Sequence, residues 1–413
     1  MRIALVPNDD GYGPSALGYY VAKVLLRAGH SLVVRNESAL SLNASFYKDE
    51  INKGRVSLQP AFGGIRMRKT AGGVDVPGTL EDARTYPEFS NNYFIPEDVD
   101  AVIDVGTPAA VRAAREARKP VFTIFDHSWG KTYEKTLENF VDNLASTLDV
   151  KDVADFVKLR AGILSSPSVQ TSLVGKAIER MKQDESKTAI VFLFDSYIAP
   201  KPFHEHWRSL GVPIEPIGGV FGGMNVSRQE ARKRMGISET DPEKSVYVLG
   251  GGTPVWDAKL AEINARLKDK VLKYNVVLFD RNAKPNDYQR LGNNVHKGGA
   301  VAGETVQGLL PGVDLVLTRA GGGIVNDAIA CRVPFVCVEE PNHWQVEMIR
   351  QNCEHEGLTR TIRFADFRDR DIEQLISQHL IAMEAENDTI RMRMKDISNG
   401  MEQAVAETII KSC

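Results

Sequence analysis

The chain lacks most signals that would place it outside the cell or across a membrane. Its 413 residues include only four cysteines, Cys331, Cys337, Cys353 and Cys413, with no C-x-x-C spacing. That count excludes a disulfide frame and a cysteine zinc site, and it reads as reduced thiols in a cytoplasmic protein. A strand-like run at residues 3–6 follows Met1-Arg2 directly, so no signal peptide is expected. No stretch approaches the roughly 20 apolar residues of a membrane span, and no transmembrane segment is expected. An excess of one charge is missing too. Lys and Arg number 51 against 54 Asp and Glu, a net charge of -3. Bulk electrostatics therefore imply no nucleic-acid or anionic-membrane partner.

What is present is an ordinary globular composition, 43% hydrophobic and 25% charged, over a length that suits two or three domains. Strand and helix signals alternate throughout. Residues 3–6, 31–34, 101–105, 121–125 and 189–194 are apolar strand runs. Helical patterns at 15–28 and 108–118 lie between them, the first with Leu17, Tyr20, Val21, Val24 and Leu25 on one face. Continuous apolar strands alternating with helices predict a parallel sheet wrapped on both faces. Residues 203–223, with Pro213, Pro216 and two Gly-Gly pairs, read as a connection into a second α/β domain. A capped helix at 227–236 follows, and then strands at 246–249, 275–279, 315–317 and 335–338. No short internal repeat is visible. Residues 49–98 are less regular and read as a flap near a cleft.

The most informative stretch is Leu317-Thr318-Arg319-Ala320-Gly321-Gly322-Gly323, a strand running into three glycines and a helical segment with Asp327 inside it. Glycines let a ligand approach the backbone, and the first N–H groups of a helix point at an anion. Asp327 lies far enough along to reach a sugar hydroxyl. A second turn, Gly250-Gly251-Gly252-Thr253, also follows a strand and can admit a phosphate, though a tight strand-to-helix turn explains it equally. After the strand at 335–338 come Glu339-Glu340-Pro341-Asn342-His343-Trp344-Gln345, at a strand end where doubly wound sheets bind ligands. Glu340, His343 and Gln345 are candidate sugar contacts, and Trp344 is a candidate stacking platform. In the first half, Asn8-Asp9-Asp10-Gly11-Tyr12-Gly13 opens the first βα unit and Asp126-His127 follows the strand at 121–125. These acids and His127 can serve as a base or simply cap the helices that follow. His204 and His206 have ligand-like spacing that a surface helix start explains as well.

Residues 245–359 resemble the nucleotide-sugar half of GT-B glycosyltransferases, most closely the inverting N-acetylglucosaminyltransferases of peptidoglycan synthesis and related natural-product enzymes. The resemblance rests on Gly250 to Thr253, Arg319 to Gly323 with Asp327 where the family has Glu, Pro334 to Val338, Gln345 and Gly357. It implies two Rossmann-like doubly wound α/β domains facing across a cleft. The expected division is 1–216 for the acceptor, 217–395 for the nucleotide sugar, and 396–413 for a helix returning to the first domain. It implies transfer of a sugar from a UDP- or dTDP-type donor to an acceptor hydroxyl, inverting, with no metal and no further cofactor. Gly251, Gly252, Thr253, Arg319, Gly321, Gly322 and Gly323 would hold the diphosphate and Asp327 the ribose, with Arg319 steadying the departing charge. Glu340, His343 and Gln345 would hold the sugar. Gly11, Tyr12, Gly13 and Asp126 would face the acceptor. The family's base histidine is absent from the first turn, which leaves Asp10, then His127, then Asp9 as candidates. Glu339 and Glu347 have the Glu-x7-Glu spacing of retaining enzymes, so retention stays open. A nucleotide-sugar epimerase or hydrolase on the same fold is the alternative. A second is a SurE-like metal-dependent phosphatase, which Asn8-Asp9-Asp10-Gly11, Ser41 and Asn91 or Asn92 resemble.

Overall fold

The structure, a computed structural model, describes residues 1–8, 13–37, 40–61, 65–70, 73–125, 128–147, 172–194, 198–199, 201–223, 226–239, 241–249, 254–267, 272–279, 289–291, 294–298 and 306–413. The first domain is built on a seven-stranded parallel sheet. Its strands are β1 (Arg2–Pro7), β2 (Ser31–Arg35), β3 (Val56–Gln59), β6 (Ala101–Val105), β7 (Val121–Phe125), β8 (Ile190–Phe194) and β9 (Ile214–Ile217), in the order β3-β2-β1-β6-β7-β8-β9. A small hairpin, β4 (Lys69–Thr70) and β5 (Gly73–Val74), stands apart. The central strands β1 and β6 are buried along nearly their whole length because helices cover both faces.

The second domain repeats the plan with β10 (Lys244–Leu249), β11 (Tyr274–Phe279), β12 (Gln289–Arg290), β13 (Val295–Gly298), β14 (Leu315–Arg319), β15 (Phe335–Val338) and β16 (Thr359–Ile362). The order is β12-β13-β11-β10-β14-β15-β16, parallel except for β12 at the edge. This is the two-domain doubly wound architecture that the strand and helix alternation predicts. In each sheet the chain winds outward from the middle strand and then returns to its other side. That reversal leaves a crevice at the carboxyl ends of β1 and β6 in one domain, and of β10 and β14 in the other.

Residues 203–223 are more than a connection, which corrects the sequence reading. Lys201–Ser209 is a helix and Ile214–Ile217 is β9. Pro216 is tolerated there because β9 is an edge strand. Residues 49–98 likewise hold β3, the hairpin and the helices Val76–Ala83 and Tyr86–Asn92. The chain leaves the first domain at 217–223 and comes back beside that segment. Gly219 bridges Ser398, Val220 N–H donates to the Ser398 carbonyl at 2.9 Å, and Gly400 N–H donates to the Gly222 carbonyl at 2.9 Å. The final helix, Glu402–Ser412, then packs against the Gly13–Arg27 helix of the first domain. Apolar contacts run through the junction. Phe221 lies 4.8 Å from Phe194 and 6.3 Å from Tyr20, ring centre to ring centre. Among the described residues no helix is long and apolar enough to cross a membrane.

Candidate functional site

The clearest opening for a ligand is a set of backbone amides. β14 ends at Arg319, and the helix Gly322–Ala330 begins after two intervening residues. Its N-cap, Gly321, is extended at φ -73 and ψ 140 and gives no side-chain cap. The Gly321 N–H donates back to the Arg319 carbonyl at 2.9 Å, and the Val325 N–H donates to Gly321 at 3.1 Å. Between them the amides of Gly322, Gly323 and Ile324 meet no acceptor among the described residues. A helix start with three open donors and no capping oxygen has the donors an anion would need. Position 323 is also tightly packed. A methyl there would come within 3.3 Å of Gly13 Cα, at the start of the Gly13–Arg27 helix. The first turns of two helices, one from each domain, therefore touch beside the open amides.

Several neighbours play different parts from those expected. Asp327 is buried on the inner side of its helix. Its Oδ1 accepts from the Tyr20 hydroxyl at 2.8 Å, from Gln307 Nε2 at 2.9 Å and from Asn326 Nδ2 at 3.2 Å. Oδ1 is thus satisfied by three protein donors, whereas the sequence reading assigned this carboxylate to a ribose. Burial pushes the Asp327 carboxyl up to about 6 against the pull of those three donors. Arg319 and Glu340 hold each other. Arg319 Nη1 reaches both Glu340 oxygens, at 3.2 and 2.9 Å, and Glu340 is 2% exposed. In this structure Glu340 is the internal counter-ion of Arg319.

The 339–345 loop is ordered by similar internal bonds. Glu339 accepts from the Phe364 N–H at 3.0 Å. Glu347 accepts from the Glu340 N–H at 2.8 Å and pairs with Arg350 at 2.9 Å. The two acids with retaining-type spacing are therefore committed to structure. His343 is buried at the N-cap of the helix Trp344–His355, where its N–H donates to the Glu340 carbonyl at 3.2 Å. Trp344 meets Phe203 of the first domain edge-on at 4.9 Å, so it serves the domain contact instead of a stacking platform. Gln345 is half-buried in the first turn of the same helix, at the carboxyl end of β15 and on the same sheet edge as the open amides.

In the first domain, Asp9, Asp10, Gly11, Tyr12, Asp126 and His127 lie outside the described residues, as do Gly250, Gly251, Gly252 and Thr253 in the second. Their surroundings are described. Asn8 donates to the Gly106 carbonyl at 2.7 Å and Asn36 to the Pro7 carbonyl at 3.1 Å, which pins the end of β1 to its neighbours. Buried Glu185 accepts from the N–H groups of Trp129 and Gly130 at 2.6 and 3.2 Å and from the Ser128 hydroxyl at 2.6 Å. It thereby anchors the helix Trp129–Thr147 that follows position 127. His204 and His206 do not converge. His204 Nε2 lies 3.2 Å from the Phe194 carbonyl, and His206 Nε2 lies 4.0 Å from Glu185. Asn91 sits on the outer side of its helix, where its carbonyl accepts from Arg180 at 2.9 Å. Among the described residues no group of three or more His, Cys, Asp or Glu is placed to hold a metal.

Comparison with solved structures agrees with this topology over the whole chain. The glycotransferase of kitacinnamycin superposes with a TM-score of 0.56 at 15% identity, covering 99% of this chain and 98% of that one. The fold is GT-B. The Streptomyces sp. SF2575 glycosyltransferase SsfS6, solved with thymidine diphosphate, gives 0.53 at 12% identity over 100% and 99% of the two chains. Arabidopsis thaliana UGT89C1, solved with quercetin, gives 0.56 at 11% over 100% and 99%, and it has also been solved with UDP-L-rhamnose. At these identities the likeness is one of GT-B fold. No protein-family model and no curated protein sequence matches the chain.

Sequence reasoning missed Tyr20, Gln307 and Asn326 as partners of Asp327, and Phe221 as the backbone partner of Gln307 and Asn326. Tyr20 reads as one more apolar position on a helix face, and nothing in its local spacing marks a polar partner 307 residues away. The Gly-Gly pairs near Phe221 were the one available signal, since they mark close backbone approach.

Proposed function

We propose that this chain is a glycosyltransferase that moves a sugar from a nucleoside diphosphate to an acceptor hydroxyl. The observation that carries the proposal is the trio of open amides at Gly322, Gly323 and Ile324, set at a topological switch point against the first turn of a helix from the other domain. The GT-B fold and the nucleotides bound by SsfS6 and UGT89C1 favour a UDP- or dTDP-type donor. The glycine turn at 250–253, which follows β10 across the same switch point, is assigned to the other side of the diphosphate. Gln345 is assigned to the sugar.

The reaction needs a base to take the proton from the acceptor hydroxyl. The freed oxygen then bonds to the anomeric carbon as the bond to the diphosphate breaks, and the electron pair leaves on the diphosphate. The helix N-terminus stabilises that leaving charge, so the reaction is proposed to run without a metal. Attack from the face opposite the leaving group inverts the anomeric centre. The engagement of Glu339 and Glu347 with other groups supports that choice over retention. Asp10 is the first candidate base, followed by His127 and Asp9.

A thermal-shift panel of UDP, dTDP and GDP tests the core of the proposal. A ligand at 100 times its Kd should add about 2.7 kcal/mol of stability. No shift with any of the three would overturn the proposal. Sugar nucleotides given with and without acceptors, with EDTA present and with the anomeric configuration read by NMR, then test transfer, metal independence and inversion.

A further inference from the structure

Asp327, expected at a ribose, sits instead at the meeting point of four segments. Tyr20 reaches it from the Gly13–Arg27 helix of the first domain. Gln307, from the turn before β14, donates from Nε2 to Asp327 Oδ1 at 2.9 Å and to the Phe221 carbonyl at 2.9 Å, an amide nitrogen having two hydrogens, while its own side-chain carbonyl accepts from the Gly223 N–H at 3.1 Å. Asn326 grips Phe221 from both sides, accepting from its N–H at 2.7 Å and donating to its carbonyl at 3.1 Å. The interdomain segment is thereby bonded on one side to the helix that carries the open amides and, through Asp327, to the helix of the other domain. The Gly13–Gly323 contact lies on the same two helices, about one turn from Asp327 and about two turns from Tyr20.

We propose that Asp327 is a positioning residue, whose carboxylate fixes the N-terminus of the Gly322–Ala330 helix against the Gly13–Arg27 helix and so sets the geometry of the anion site. The proposal rests on the glycosyltransferase reading only for the identity of the anion. Three donors on one buried oxygen form a directional joint, because that oxygen cannot keep all three if the helices slide or separate. Tyr20 is the only one of the three donors that comes from the other domain. Its hydroxyl is therefore the bond that an opening motion must break.

The test uses Tyr20→Phe, which removes one hydroxyl and leaves the ring against Phe221. Asp327→Asn, which keeps an acceptor at the same place, and Asp327→Val, which does not, complete the set. Spin labels at Arg115→Cys and Ile381→Cys, exposed on opposite domains, report the interdomain distance by pulsed electron resonance in a Cys413→Ser background. UDP and dTDP affinities are measured by calorimetry on the same proteins. Tyr20→Phe and Asp327→Val are expected to broaden the distance distribution and weaken binding about tenfold, with Asp327→Asn close to the parent. The Tyr20→Phe/Asp327→Val double variant should be no worse than Asp327→Val alone, because both remove the same bond. Should Asp327→Val not fold, Tyr20→Phe alone decides. An unchanged distance distribution in Tyr20→Phe overturns the proposal, whatever happens to affinity. If the parent binds neither nucleotide, the functional reading fails while the distance measurement still judges the joint.

Discussion

The open amides can be tested one donor at a time. Gly322 is the first helical position after the N-cap, and proline is well accepted there because its missing N–H is one the helix does not use. The preceding residue must be extended to make room for the ring, and Gly321 already is, at φ -73 and ψ 140. Gly322→Pro should therefore delete one of the three open donors while leaving the helix in place. The control is Gly322→Ala, which adds carbon but keeps the N–H. An amide donated to a phosphate is worth about 1.5–3 kcal/mol. Removing one should raise the Kd for UDP or dTDP about 10- to 150-fold. Stability should hold or rise by about 0.4–1 kcal/mol, since proline restricts the unfolded chain. Titration calorimetry of the two variants and the parent reads the difference, and thermal melts confirm folding. Equal nucleotide affinity in Gly322→Pro and Gly322→Ala would refute the argument, because the only intended difference between them is the donor. A loss shared by both would instead show that the site has no room for added carbon.

Other consequences follow from the same geometry. Arg319→Met strands the buried Glu340 carboxylate without its counter-ion and should cost about 3–5 kcal/mol in urea denaturation, with Arg319→Met/Glu340→Gln recovering most of it. Gly219→Ala drives a methyl into the Ser398 carbonyl where the chain crosses between domains, and should lower stability by about 1–3 kcal/mol in the same assay. Asp327 makes stability depend on pH. Its carboxyl rises from 3.8 to about 6 on folding, so between those values the folded state holds a proton that the unfolded state has lost. Stability must then fall as pH rises from about 4 to about 6, by about 3 kcal/mol at ~1.36 kcal/mol per pH unit, and level off above. Tyr20, Cys331 and Glu402 are the other ionisable groups near this joint. Subtracting the stability curve of Asp327→Asn from that of the parent isolates the slope, and a flat difference would contradict the assignment.

The fold was legible wherever burial was two-sided. Strands at 101–105, 121–125 and 335–338 match their sequence bounds to the residue, because a strand covered on both faces is apolar at nearly every position, with buried Asp104 and Thr123 the exceptions here. The edges were not legible for the complementary reason. β9 carries Glu215 and Pro216, and β16 reads Thr-Arg-Thr-Ile; each has one neighbour and a wetter face, so neither shows a continuous apolar run. The hairpin β4–β5 is too short for any periodicity to register.

The candidate site divides along a related line, between backbone and side chain. The amides of Gly322 and Gly323 are properties of a strand ending in glycines before a helix, and that pattern is local. The destination of the Asp327 side chain is not local. Spacing places it one turn and a half into the helix, but whether that face looks into a cleft or into a joint depends on Tyr20, Gln307 and Phe221. The same holds for Arg319 and Glu340, whose mutual pairing across 21 residues no local pattern announces. An anion site made of main chain is therefore the safer inference from sequence, and charged side chains beside it are the weaker one. A buried acid near a glycine turn has two ways to be satisfied, by a ligand or by the protein. Three protein donors converge on Oδ1 of Asp327, so for that oxygen the protein has taken the role that spacing alone would have given to a ligand.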